Sequence, residues 1–314
     1  MKYAKQAALS TILLSLAACG GNDGQGEQLS FAQTGNINLS ITDAPVDMAE
    51  AVTITFDKVT IKPADGSPKD IQDLEINTIN LLDYTGGKSE LLIDTINDDP
   101  DRSPLPAGEY KWMRFHVVEA SITVDGLEYE LEVPSGDTSG LKLNTAFTIP
   151  ADGVSYYTID FDLRHSVIGP FTKNGSSGET YYKLKPVLRL VENTAVGTVS
   201  GTVDSTLVAS CSSDKAVYLF EGELEQDALD DIDNEVLPEE LDDADAIEPF
   251  MSMSLPDLAG DASFTFGFVQ EGSYSLAFAC GEDNVDQDED DLEFASLEII
   301  EVVAGETTEE KLEL

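Results

Sequence analysis

Ile122-Thr-Val-Asp-Gly-Leu-Glu-Tyr-Glu-Leu131 alternates apolar and polar residues on both sides of an Asp-Gly pair. A period of two puts every second side chain on the same face, the pattern of a half-buried strand. Asp-Gly readily supplies the positive φ angles of a tight type I′ turn. Ile122 and Val124 are therefore expected to fold back on Leu127, Tyr129 and Leu131 as a hairpin. The same period recurs outward from it. Asn36–Thr42 alternates through Ile37, Leu39 and Ile41, and Ala51–Ile61 through Val52, Ile54 and Phe56, resuming at Val59 and Ile61. Further strands are expected at Tyr110–Ala120, Leu141–Ile149, Val154–Leu163 and Tyr181–Val191, with Pro104, Pro106, Gly108, Pro134, Pro150 and Gly169-Pro170 between them. Many short strands divided by turn residues predict an antiparallel β-sandwich.

A break follows Val191. Glu192–Thr194 is a short polar link, and Val196-Gly-Thr-Val-Ser-Gly-Thr-Val203 opens a second alternating series. Strands are expected there at Ala216–Phe220, Ala262–Phe268, Ser273–Cys280 and Ser296–Val303. The electrostatic character changes too, because Ala216 to Glu310 contains no Lys, Arg or His. Between Glu223 and Glu248 lie 13 Asp or Glu residues, broken by Leu224, Leu229, Ile232 and others at a spacing loose for a helix. With Pro238 and Pro249 present, a long acidic loop with one helical turn is expected. The whole chain has 17 Lys plus Arg against 61 Asp plus Glu. Such a charge repels nucleic acid and anionic lipid surfaces and favours cations, cationic proteins or a salty medium.

The first residues have a different design. Lys2 and Lys5 form a short positive segment, and Ala7 to Ala18 is an apolar run too short to span a bilayer as a helix. It ends in Leu16-Ala17-Ala18-Cys19-Gly20, which resembles the lipobox of bacterial lipoproteins. The resemblance implies cleavage before Cys19, lipidation of that cysteine and, with Gly20 rather than Asp after it, delivery to the outer membrane. Removal of Lys2 and Lys5 leaves 15 cations against 61 acids, a balance of −46. The Gly-, Gln- and Asn-rich stretch that follows reads as a flexible tether. The expected organisation is all-β: signal peptide 1–18, lipidated Cys and tether 19–34, and two antiparallel β-sandwich domains in tandem over 35–192 and 196–314. The second carries an acidic insert at 221–259.

Several phrases of the first domain resemble a known pattern. They are Leu39-Ser-Ile-Thr-Asp-Ala-Pro45, Ile79-Asn-Leu-Leu-Asp83, Leu105-Pro-Ala-Gly-Glu-Tyr110, Ser139-Gly-Leu-Lys-Leu143 and Tyr182-Lys-Leu-Lys-Pro-Val-Leu-Arg-Leu190. Together with Val52-Thr-Ile-Thr-Phe56 and Val133-Pro-Ser-Gly136, their order is similar to the bacterial family "domain of unknown function 4382", over about Thr34 to Val191. The resemblance implies envelope proteins, often lipoproteins, with a β-sandwich and no assigned activity or catalytic residues. In the second domain, Gly197-Thr-Val-Ser-Gly-Thr-Val203 and Glu271-Gly-Ser-Tyr-Ser-Leu276 resemble transthyretin-like modules related to carboxypeptidase regulatory domains. Those are grouped with carbohydrate-binding-like folds, but fold membership alone makes no binding site.

Residues for catalysis are sparse. His116 alternates with Arg114 and Val118 on a strand, and His165 sits in Asp162-Leu-Arg-His-Ser166 without a Gly-x-Ser-x-Gly nucleophile elbow. No His-Glu-x-x-His or cysteine cluster marks a zinc site. With Cys19 taken by lipid, Cys211 and Cys280 remain in an oxidising compartment and are expected to form one disulfide. Tyr156-Tyr157, Tyr181-Tyr182 and Trp112 could stack on sugars, although each doublet puts one ring inside. In Glu282–Asp291, Asp283, Asp286, Asp288 and Asp290 could ligate Ca²⁺, yet the turn glycine and twelfth-position Glu of the EF-hand loop are missing. The expectation is a non-enzymatic, membrane-anchored binding or structural module without a cofactor, except possible Ca²⁺. A calcium-binding surface protein and a carbohydrate-binding module are the alternatives, and partners are sought among envelope proteins and glycans. Replacing Cys19 by Ser should release the protein from membranes or block its processing. Unchanged fractionation and migration of the Cys19→Ser protein would refute the anchor.

Overall fold

In the computed structural model, Asp125 and Gly126 have φ of 53° and 70°, and Val124 pairs with Leu127 across the two-residue turn. The hairpin joins strands Gly108–Val124 and Leu127–Glu132. The described residues are 33–44, 49–96, 103–133, 140–173, 178–212, 214–232, 247–255, 260–281 and 292–313. Gly108–Val124 also pairs along its length with Ala51–Pro63. The phase break after Phe56 in the sequence is a register shift in that pairing, which returns Val59 and Ile61 to the core. An extra residue in one strand does this without losing the buried face.

These strands centre a nine-stranded sheet running Val167–Thr172, Thr180–Leu184, Leu127–Glu132, Gly108–Val124, Ala51–Pro63, Lys69–Ile71. Leu141–Leu143 and Phe147–Ile149 add to Gly108–Val124, and Thr78–Asn80 to Ala51–Pro63. A five-stranded sheet runs Leu188–Glu192, Val154–Asp162, Thr34–Ala44, Glu90–Asp94, with Leu105–Pro106 beside Thr34–Ala44. Both sheets feed one core containing Ile37, Leu39, Ile54, Phe56, Phe115 and Ile159, with Phe56 and Phe115 edge to face at 5.8 Å. Burying each such side chain contributes about 1.5–3 kcal/mol.

The second half has a three-stranded sheet (Ala262–Gln270, Val196–Val203, Thr307–Leu312) and a four-stranded one (Met251–Ser254, Lys215–Glu221, Gly272–Cys280, Glu293–Val302). Val199, Val203, Phe264, Phe266, Leu276 and Phe278 share the core between them. The opposite face of the four-stranded sheet is covered as well. There Tyr218, Phe220, Ala277 and Ala279 pack with Ile232, Leu229 and Phe294. Lys215–Glu221 is consequently buried on both faces, as its unbroken apolar run permits.

Four sequence expectations need correction. The strand expected over Leu141–Ile149 is two, interrupted at residues 144–146, and that over Tyr181–Val191 is Thr180–Leu184 and Leu188–Glu192, on different sheets. Lys185-Pro186-Val187 carries the chain across, held by Ser166, whose carbonyl accepts from Lys185 N and whose Oγ accepts from Val187 N. Pairing is mainly antiparallel, but Thr34–Ala44 runs parallel to Val154–Asp162, Leu127–Glu132 to Thr180–Leu184, and Val196–Val203 to Thr307–Leu312. The span 221–259 is not all insert: Leu229 bridges Ile247, and Met251–Ser254 is a strand paired with Lys215–Glu221. Its apolar residues are needed to cover the second face of the sheet.

Cys211 and Cys280 form a disulfide, with Cα atoms 5.5 Å apart. Cys211 ends a short helix, Ser205–Ser210, capped at its start by Asp204 accepting from Thr206 N. Cys280 ends a central strand of the four-stranded sheet. The bond closes a span of 69 residues. Changing both cysteines to Ser should lower stability by up to about 4 kcal/mol in the chain-entropy treatment. Urea unfolding of the two proteins measures this, and coincident midpoints would mean that packing alone holds the segment.

Candidate functional site

The strand Val154–Asp162 turns Tyr157, Ile159 and Phe161 toward the first core. Alternation places Thr158, Asp160 and Asp162 on the other face, where solvent would be expected. Instead Thr158 is 0% and Asp160 1% exposed. The segment from Phe250 to Met253, belonging to the second half, lies against this face. Asp160, Thr42, Met251, Ser252 and Met253 line one small enclosed cavity.

A charged pair is buried in that seam. Asp160 and Arg189 are direct cross-strand neighbours, and Arg189 Nη2 donates to Asp160 Oδ2. The guanidinium lies over the Phe250 ring, 3.9 Å from its centroid. A planar cation can be bonded at its edge and stacked on its face at once. Burial raises the Asp160 pKa above the ordinary range, against the opposing pull of Arg189.

The Asp162-Leu-Arg-His-Ser166 phrase builds the rest of the seam. Leu163–Ser166 is one helical turn capped by Asp162, which accepts from His165 N and lies 2.8 Å from His165 Nδ1. Glu248 Oε2 stands 4.0 Å from His165 Nε2. Burial lowers the His165 pKa, but the hydrogen bond and charge of Asp162, with the charge of Glu248, raise it further, so the net shift is upward. Arg164 donates to Ser252 Oγ at 2.8 Å and lies over Tyr218. Ser166 is fully buried with its hydroxyl accepting from Val187 N, so no accessible nucleophile stands beside His165. Burial and then the neighbouring Asp231 push Asp230 up to about 6, and burial raises Glu248. Beside the same small cavity, the Gly87 and Gly267 backbones touch. A Cβ on Gly267 would lie 2.2 Å from Gly87 Cα, so only glycine fits there.

A more open cleft of about 680 Å³ is lined by Phe147, Thr148, Tyr157, Glu192, Gln270 and Glu271. The rings of Phe147 and Tyr157 are buried, and Tyr157 OH is within hydrogen-bond range of Thr148 backbone atoms. The cleft therefore offers carboxylates and an amide rather than a stacking face. The tyrosine doublets divide as expected: Tyr156 is 45% exposed while Tyr157 and Tyr182 are buried. His116 is half-buried, 2.6 Å from Asp57. Cys19, Asp283, Asp286, Asp288 and Asp290 lie outside the described residues. Among the described residues, no group of three or more His, Cys, Asp or Glu could hold a metal ion. The sequence reading singled out neither Asp160 nor Arg189. Each reads as the solvent side of an amphipathic strand, and the segment covering them comes some sixty residues after Arg189 and ninety after Asp160.

Arg189→Met should cost about 3–5 kcal/mol, because the change leaves a buried carboxylate without its counter-charge. The loss should shrink in acid as Asp160 takes up a proton. Urea unfolding at neutral and acidic pH measures both. For the unmodified protein, Asp230 has a folded pKa of about 6 against an ordinary 3.8, so the native state binds more protons between those values. Stability then falls as pH rises through that window. His165 extends the fall: its raised folded pKa gives a contribution present below 6.5 and lost as pH rises through the folded value. A melting temperature that climbs from acid to neutral pH would contradict this.

Solved structures give faint likenesses. A candidate adhesin from Bacteroides ovatus aligns at 11% identity and TM-score 0.22, covering 96% of this chain and 95% of that one. The minor pilin of Streptococcus agalactiae aligns at 8% identity and TM-score 0.17, covering 87% and 93%. The fimbrial anchor protein of Porphyromonas gingivalis aligns at 13% identity and TM-score 0.17, covering 77% of each chain. Scores of this size carry no argument about function. No curated protein matches the sequence. The resemblance read over Thr34 to Val191 is supported: residues 34–186 match the family described as "Domain of unknown function (DUF4382)".

Proposed function

We propose that this chain is an envelope lipoprotein, held to the outer membrane by lipid on Cys19. Its β-rich body acts as a non-enzymatic binding or structural module. The body comprises tandem domains at 35–192 and 196–314, the second of transthyretin-like type. The observation that carries this reading is where the buried charge goes. Arg189, paired with Asp160, lies over Phe250, and Arg164 donates to Ser252, so these two cations are used in fixing one half on the other. Enzyme sites place perturbed groups around a reachable reacting atom. Here Asp160, His165, Asp230 and Glu248, whose pKa values are shifted, face a seam, and the open cleft is lined by Glu192, Glu271 and Gln270 together with Phe147, Tyr157 and Leu190. No helix of the described residues is long and apolar enough to cross a membrane, so attachment through a lipidated Cys19 fits the described part of the chain.

The full chain, immobilised and washed with envelope extract, should retain one component saturably and leave the extract chemically unchanged. Mass spectrometry of both fractions is the readout. Time-dependent appearance of new reducing ends, free fatty acids or peptides would contradict a non-enzymatic role.

A further inference from the structure

Positive charge is scarce in this chain, and much of it is gathered on one surface. Lys58, Lys62, Arg114, Lys142 and Lys183 alternate with core residues on the nine-stranded sheet and so occupy its outer face. Some of this charge is neutralised locally. Lys58 pairs with Asp70 at 3.0 Å, and Asp57 lies 2.6 Å from His116. Around Trp112 it is not. Arg114 and Lys142 are direct cross-strand neighbours, and both cations sit over the Trp112 ring, 5.0 and 5.2 Å from its centroid. Lys62, opposite Trp112 on the next strand, donates to the carbonyls of Pro63 and Gly66. Among the described residues no carboxylate is within ion-pair distance of Arg114, Lys142 or Lys62. Arg114 Nε is buried without an acceptor. Like charges directly opposite one another weaken a sheet, so this grouping favours an incoming anion.

The complementary charge is in the same molecule. Ala216 to Glu310 contains no Lys, Arg or His. Its edge strand Glu293–Val302 exposes Glu298 and Glu301 beside Ile299, itself 49% exposed. We propose that the outer sheet face around Trp112, Arg114 and Lys142 docks the acidic half of a second copy of this chain. The two surfaces are different patches, so the contact is head-to-tail and can extend through successive copies. The net charge of −44 opposes approach at long range. At physiological salt the screening length is about 8 Å, so the local match governs the contact.

Carbodiimide joins carboxylates to amines only where they touch, and a mixture of isotopically light and heavy full chains separates contacts between copies from contacts within one. The expected result is light–heavy peptides linking Lys142 or Lys62 to acids within 216–310, lost in concentrated salt. Arg114→Glu, which leaves the Lys142 and Lys62 amines in place to be joined, should lower their yield about tenfold, since charge reversal turns the match into repulsion. Arg114→Gln, which also keeps both amines, should lower it less, and unchanged circular dichroism in both variants guards against a loss caused by misfolding. Finding only links within one copy would overturn the proposal. So would salt-sensitive retention on dextran sulfate without any light–heavy links, which would assign the face to an anionic glycan.

Discussion

Asp160 carries a carboxyl group at a position 1% exposed, beneath a segment of chain that follows it by some ninety residues. A charge there is tolerable only with a partner, and Arg189 supplies one from the neighbouring strand. The guanidinium must reach Asp160 and lie over Phe250 together. Strand Leu188–Glu192 is thereby fixed to Val154–Asp162 on one side and to the second half on the other. Arg164 reinforces the arrangement through Ser252. Glycine at 267 lets the two backbones meet beside the cavity that Asp160 lines. Arg189 and Arg164 thus tie the halves together at two points, while Asp160 Oδ1 and Arg189 Nε and Nη1 are buried without hydrogen-bond partners among the described residues.

Acidic charge is distributed according to the same constraint. Inside the seam, Asp160 and Asp162 face Arg189 and His165, so each carboxylate has a cation near it. At its rim, burial and the neighbouring Asp231 raise the Asp230 pKa, and burial raises that of Glu248 against the opposing pull of His165. The edge of the seam therefore responds to pH, and so does its centre, where burial raises the Asp160 pKa. The outer sheet face around Trp112 has the reverse imbalance, with Arg114 and Lys142 over the ring and no carboxylate among the described residues within ion-pair distance of them.

Much of the architecture was legible because period-two alternation reports one buried face directly. The Asp125-Gly126 hairpin, the phase break after Phe56 and the pairing of Cys211 with Cys280 all follow from local residue chemistry. What alternation cannot report is a second covering layer. On Val154–Asp162 the polar face reads as wet until Phe250–Met253 is placed on it. Thr307–Leu312 escaped notice for a related reason: Thr-Thr-Glu-Glu-Lys-Leu has one fully buried apolar residue, Leu312, and its strand state depends on pairing with Val196–Val203. The acidic run after Glu221 concealed Leu229 and Ile232, whose task is to cover Tyr218 and Phe220. In the first two cases the deciding contact is long-range, so no window of sequence contains it.

If the buried Asp160–Arg189 seam locks the halves together, neither half should unfold alone. Differential scanning calorimetry of the unmodified chain at neutral pH tests this most directly. The account predicts a single transition whose calorimetric and van't Hoff enthalpies agree. Two separated transitions, each with its own enthalpy, would show that the halves are independent and that the seam is an incidental contact.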